Sequence, residues 1–277
     1  MISVYHSAKE YLEASQQMLE ERELENNLIL GLCNALAEKN SAEENYDFVN
    51  AFESGRIMAT SINTIGRAIV SCSSEDTRSV KELADYYLKQ NIGLKGVFGE
   101  IIPATVFARF YGSGFATDMT MIVHRLSRVN DLPVVSGLFR AAENEDVELI
   151  VDWTTRFKKE EDPVYQMSRD EMLNMVRSGI ASGNFFLWTD KNVAVSMAAI
   201  NRRTSHVGVV GYVYSPEEFR KKGYATAVVQ RLSEHILQSG FTYCGLFTDQ
   251  ANPTSNHIYR KIGYEQVATF ANIRFFP

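Results

Sequence analysis

Apolar residues in the first forty positions recur at three- and four-residue steps: Tyr11, Leu12, Met18 and Leu19, then Leu28, Leu32 and Leu36. This is the period of a helix with one buried face, and the spacing predicts helices here. Short apolar runs at 46–53, 56–62 and 66–72 follow, with Ser54-Gly55 and Asn63-Thr64 between them, which predicts three strands joined by turns. Helical spacing returns in SEDTRSVKELADYYLKQ, where Asp76 or Thr77 suits the cap. GLKGVFG, a helix from about Ile102 to Tyr111, a GSG turn at 112–114 and a strand-like TDMTMIVHRLSRV complete the first half.

NDLPVVSG, at 130–137, collects turn formers and marks a boundary, dividing the chain into domains at 1–136 and 137–277. Beyond it, the pattern predicts helices near 143–158 and 168–180, strands at 184–189, 193–200 and 206–214, and a helix over 223–239. A strand at 242–248, a helix from Pro253 and closing strands over 264–276 follow. Strand, helix, strand, helix, strand thus occurs in both halves, and Pro103 sits near its helix start much as Pro253 does. The fold class is α/β, of the mixed α+β kind, and 277 residues suffice for two such domains.

Composition narrows the function classes. With 45% hydrophobic and 22% charged residues the chain is of globular type, and no apolar run approaches the ~20 residues a membrane span requires. A cytoplasmic protein with no membrane partner is expected. Cys33, Cys72 and Cys244 lie far apart with no CxxC or histidine at ligand spacing, so no metal and no disulfide is expected. Residues 1–136 hold 12 Lys and Arg against 18 Asp and Glu, while 137–277 hold 16 of each. The whole net charge of −6 therefore falls in the first half, and the basic footprint of a nucleic-acid binder is missing.

Chemistry concentrates in GYVYSPEEFRKKGYA, at 211–225. A strand ends there, and a basic loop opens onto the apolar pattern Ala227, Val228, Leu232, Ile236. The loop amides are then the unpaired N–H groups of a helix's first turn, a setting that binds anions. Gly223 lets backbone approach a phosphate without a Cβ, Ala225 keeps the next turn close, and Arg220, Lys221 and Lys222 supply positive charge.

RKKGYA resembles the (Arg/Gln)-x-x-Gly-x-(Gly/Ala) loop with which the Gcn5-related N-acetyltransferases, the GNAT superfamily, hold the pyrophosphate of acetyl-CoA; Arg220, Gly223 and Ala225 occupy its specified positions. NPTSNHIYRKIGY downstream resembles the superfamily's second signature, with Asn252, Tyr259 and the pair Gly263-Tyr264 in order. Read singly, Asn252 also suits a helix cap and Tyr259 a core aromatic. Their order and spacing behind RKKGYA favours the functional reading. The resemblance is specific over about 205–268 and extends over 137–277.

The resemblance implies an acyl-CoA N-acyltransferase fold, with two GNAT-like domains in tandem, of which the second is catalytic and the first degenerate. It implies that acetyl-CoA is the cosubstrate, that Arg220 through Thr226 (Lys221, Lys222, Gly223, Tyr224 and Ala225 between them) hold its diphosphate, and that Asn252 holds the pantetheine arm. It further implies that pantetheine pairs with a strand edge at Tyr212, Val213 and Tyr214, and that Tyr259 protonates the departing sulfur. The acceptor is then a primary amine on a small molecule or peptide.

Two departures stand out. Many relatives use a strand carboxylate as base, and Val207–Tyr214 has none; Glu217, Glu218, His206 and His257 are the nearby alternatives. In the first half SSEDT stands where the cationic loop would be, so Glu75 and Asp76 repel a diphosphate, and Arg109 takes the position of Tyr259. A CoA-sensing module without catalysis, and an aminoacyl-tRNA-dependent peptidyl transferase, are the competing readings. The intact loop and acidic charge balance weigh against the second.

Overall fold

The structure is a computed structural model that describes residues 1–39, 46–73, 77–161 and 166–276. Contacts divide the chain into two compact units. The first is Met1–His124 with Phe247–Pro253 and Gln266–Pro277; the second is Arg125–Leu246 with Thr254–Glu265. This differs from a linear division at 136/137, because the C-terminal strand and the 247–253 segment group with the first unit.

The chain order opens with β1 (Ile2–Tyr5), α1 (Ala8–Glu20), α2 (Asn27–Lys39), β2 (Tyr46–Glu53), β3 (Arg56–Thr64) and β4 (Arg67–Cys72). It continues through α3 (Arg78–Lys89), β5 (Gly96–Glu100), α4 (Ile101–Tyr111) and β6 (Phe115–Leu126). Then come β7 (Leu138–Ala141), α5 (Val147–Glu161), α6 (Arg169–Ala181), β8 (Phe185–Asp190), β9 (Val193–Arg203) and β10 (Val207–Tyr214). The last elements are α7 (Tyr224–Gln238), β11 (Tyr243–Asp249), α8 (Pro253–Ile262) and β12 (Glu265–Phe275). The order strand, two helices, three strands, helix, strand, helix, strand occurs twice, so the tandem expectation holds as architecture.

In the first unit the strands lie in the order β1-β2-β3-β4-β5-β12-β6. The pair β4/β5 is parallel, from Arg67/Gly96 to Val70/Gly99, and β12 runs antiparallel to β5, from Phe270/Glu100 to Arg274/Gly96. Alternation along the strands sorts side chains to two faces. Ala68, Val70 and Cys72 pack with Leu83, Tyr87 and Phe107 of α3 and α4, while Phe48, Ile62 and Ile69 pack with Tyr11, Leu19, Ile29 and Cys33 of α1 and α2.

Three local expectations are corrected. The start of the chain is not all helical: Ile2–Tyr5 is an edge strand on β2, too short to leave a periodic signature. The turn expected at Asn63-Thr64 falls two residues later, at Ile65 (φ 50°) and Gly66 (φ 87°), where the Thr64/Arg67 pair closes a two-residue loop with the positive φ at both positions of a type I′ turn. Asn63 and Thr64 end β3, and the Asn63 side-chain oxygen accepts from the Gly66 amide at 3.0 Å, so it braces the turn from outside. The closing strands over 264–276 are one strand, β12. Glu75 and Asp76 of the SSEDT segment lie outside the described residues.

The second unit's sheet has the order β7-β8-β9-β10-β11, antiparallel except for β10/β11. Helix α7 buries Val228, Val229, Leu232 and Ile236 against it. A Cβ at Gly208 on β10 would lie 2.6 Å from Ile236 Cγ2, so this glycine permits the helix to sit close to the strand that leads into the loop. Helix α6 starts in a reciprocal capping box between Ser168 and Glu171.

Candidate functional site

The site is built where β10 leaves its parallel neighbour. The β10/β11 ladder runs from Val207/Tyr243 to Val210/Leu246 and stops there, while β10 continues to Tyr214 along β9. Between Gly211/Ala199 and Tyr214/Met197 the β10 strand holds one residue more than β9, which is a bulge, and Tyr212 takes φ 51° within it. A left-handed tyrosine is an uncommon conformation that surrounding packing must hold. Its ring lies 5.8 Å from Phe157 and 6.0 Å from Phe185, with Lys158 Nζ 5.3 Å from its centroid. Val213 is half-buried, and Tyr214 is buried beside Trp153 at 6.1 Å.

A 3₁₀ turn over Glu217–Phe219 leads into the basic loop. Lys221 has φ 62° and Gly223 φ 85°, ψ −3°, so two left-handed residues two apart curl the backbone before α7. Such alternation makes a nest of amides. Ala227 donates to the Gly223 carbonyl at 3.0 Å, which leaves the amides of Tyr224, Ala225 and Thr226 as the first-turn donors with no carbonyl four residues back inside α7. Lys221 and Lys222 are exposed, and Lys222 Nζ stands 5.5 Å over the Phe219 ring. The loop expected to cradle an anion thus passes through two left-handed residues before α7 begins.

Two side chains in it do other work than expected. Arg220 does not lend a free cation: its guanidinium grips Glu160 at 2.7 and 3.0 Å, donates to the Ser215 carbonyl at 2.9 Å and stacks over Tyr214 at 5.7 Å. The hydrogen bond to Glu160 raises its pKa further. Tyr224 donates its hydroxyl to Asp190 at 2.7 Å, and Ser136 donates to the other oxygen of that carboxylate at 2.8 Å. These bonds hold Asp190 below the usual carboxylate range and tie the first turn of α7 to the end of β8. Arg220 and Tyr224 therefore shape the loop by their side chains. Neither Glu160 nor Asp190 carried a signal in the sequence, being 60 and 34 residues from its partner.

Tyr259 lies on α8, buried in the core of the second unit with Tyr264 at 6.0 Å. Burial, and secondarily the charge of Glu161, pushes its phenol well above its ordinary value, so it stays protonated at neutral pH. Asn252 stands immediately before α8, in the first unit, where its backbone N–H donates to the Asp249 carbonyl at 3.0 Å. The remaining expected site residues, Tyr212–Tyr214, 220–226 and Tyr259, all belong to the second unit.

Of the alternatives for a base, His206 and His257 are exposed. Glu217 and Glu218 are exposed as well and line a polar cleft of about 390 Å³ with Arg156, Lys159, Glu160, Tyr214 and Arg220. In the first unit Arg109 is exposed on the last turn of α4, where it can offer no neutral phenol. Among the described residues no three His, Cys, Asp or Glu are grouped to hold a metal, and no helix is long and apolar enough to cross a membrane.

Comparison with known proteins finds the same fold elsewhere. The model of the FR47-like protein family matches residues 190–274, the segment that holds the loop and Tyr259. Among solved structures, a GNAT-family acetyltransferase from Colwellia psychrerythraea is similar at TM-score 0.65 and 12% identity over all of both chains. A Gcn5-related N-acetyltransferase from Sphaerobacter thermophilus is similar at TM-score 0.62 and 13% identity, over 99% of this chain and 95% of that one. A tandem GNAT protein from the clavulanic acid biosynthesis pathway is similar at TM-score 0.56 and 9% identity, over 99% and 98%. None of the curated proteins matches the sequence. The protein has the GNAT fold, in two tandem copies, and its residues 190–274 are similar to FR47-like proteins.

Proposed function

We propose that the second unit is an N-acetyltransferase that moves the acetyl group of acetyl-CoA to a primary amine on a small molecule or peptide. The observation that carries this reading is the nest at Lys221 and Gly223, opening α7 at the point where β10 has lost its parallel partner. First-turn amides and two exposed lysines suit a diphosphate. The β10 edge from Gly211 to Tyr214 suits the amide groups of pantetheine. Asn252 is assigned to the same arm.

In the transfer the amine nitrogen attacks the thioester carbonyl carbon. Its C–N bond forms as the C–S bond breaks, through an oxyanion that backbone amides at the β10 bulge are suited to stabilise. The sulfur leaves as a thiolate and takes the proton of Tyr259, whose burial keeps it in the donating form at pH 7. The nitrogen's surplus proton passes to water, as Val207–Tyr214 carries no carboxylate. This reading involves no metal and no nucleic acid, and acetyl-CoA supplies it in the cytoplasm. Absence of that carboxylate favours a second reading, a CoA-sensing module without turnover.

Calorimetric titration of the full chain with acetyl-CoA tests the assignment, with one site per chain expected because the cationic loop occurs once. Thiol release with a panel of primary amines separates an enzyme from a sensor. Two sites per chain, or none, would overturn the reading.

A further inference from the structure

The first unit contains a cavity that acetyl transfer in the second does not use. It measures about 400 Å³ and is lined by Leu28, Leu32, Ile69, Phe98, Met119 and Met121, with Thr64, Arg67 and Asn272 as its polar members. That size and lining are those of a small-molecule pocket.

The cavity follows from the architecture. Thr64/Arg67, Ile69/Phe98 and Phe98/Asn272 are register partners, so they share one face of the sheet, the face that α1 and α2 cover. Seven strands at ~4.8 Å spacing span about 29 Å, whereas two helices of about 10 Å each cover about 20 Å. Leu28 and Leu32, one turn apart on α2, mark the rim of that cover. Beyond them flexible methionines, Met119 and Met121, provide a wall that can adapt to a ligand.

Among the described residues that line it, Arg67 is the one charged side chain. Arg67 donates to the side-chain oxygen of Asn272, so the Asn272 amide nitrogen is left as a donor. Thr64 donates its hydroxyl to the Arg67 carbonyl at 3.2 Å. No carboxylate pairs with Arg67 among the described residues. A guanidinium and an amide N–H at the side of an apolar cavity call for an acceptor with negative charge.

We propose that this cavity binds a monocarboxylate with an apolar body, the chain lying against Leu28, Leu32, Phe98, Met119 and Met121 and the head on Arg67 and Asn272. The site is separate from acetyl transfer and stands whether or not that reading does.

Full-length protein labelled with ¹³C-methyl methionine is titrated with decanoate, 1-decanol and decylamine. Decanoate should bind once per chain and shift the methyl signals of Met119 and Met121. Decanol should bind at least tenfold more weakly, and decylamine more weakly still. Arg67→Met should remove the preference for decanoate over decanol without weakening decanol, and Asn272→Leu should act in the same direction. Met121→Trp, which fills the cavity, should abolish binding of both while acetyl-CoA affinity is retained. Equal affinity for the three probes, shifts confined to other methionines, or an unchanged preference in both polar variants would overturn the proposal.

Discussion

The guanidinium of Arg220 holds both carboxylate oxygens of Glu160, at 2.7 and 3.0 Å, and so fastens the entrance of the basic loop to the end of α5. The first specified position of the loop motif is a clamp, and half of the clamp lies in a helix with no motif of its own.

Removing Glu160's charge should leave the fold in place and alter anion binding. Both partners are largely exposed, so Glu160→Gln should cost less than about 1 kcal/mol of stability. With Arg220 no longer neutralised, acetyl-CoA should bind several-fold more tightly at low ionic strength. That gain should vanish at 1 M salt, where the Debye length falls to about 3 Å. Calorimetry at two salt concentrations measures both.

At Gly223 the backbone has φ 85°, and a Cβ would meet Val135 at 3.2 Å. Gly223→Val adds strain of about 1–3 kcal/mol and fills the approach to the loop amides. Acetyl-CoA affinity should fall more than tenfold, or at least ~1.4 kcal/mol. Gly223→Asn, which tolerates positive φ, should lose less stability. An unchanged affinity in a folded valine variant would reject the diphosphate assignment.

Tyr259→Phe keeps the ring in its core position and removes only the hydroxyl. Turnover should fall ~100-fold or more in single-turnover assays, with little change in acetyl-CoA affinity, if Tyr259 donates the proton to sulfur. Full activity would make water the proton source.

Stability should decline in alkali. Burial raises the phenols of Tyr11, Tyr87, Tyr259 and Tyr264 above the ordinary value of 10.0 and pushes the Cys244 thiol up to about 12. Above the ordinary values the unfolded chain gives up protons that the folded chain keeps, so unfolding is favoured as pH rises. These groups contribute their full stabilisation below about pH 9, and it is lost as pH rises through the folded values. Urea midpoints should be flat from pH 7 to about 9 and fall from pH 10 upward. A flat profile to pH 11.5 would show that the phenols titrate normally.

The sequence by itself carried the helix and strand order, the repeat and the loop, because each is written in residues near one another. A helix face repeats every three or four positions, a strand every second, and RKKGYA lies within six residues at a helix start. Lys221 and Gly223 could be read as anion-binding backbone for that reason. What the tertiary structure decided depends on residues brought together from far apart. Glu160 claims Arg220, Asp190 claims Tyr224, and β12 leaves the unit its chain neighbours form to pair with β5. The bulge at Tyr212 arises from register against β9, and the apolar cavity from two helices covering part of seven strands. Neither has a local signature, since strand register and helix cover are settled by packing among distant segments. Periodicity says which face of an element is buried; only the fold says against what.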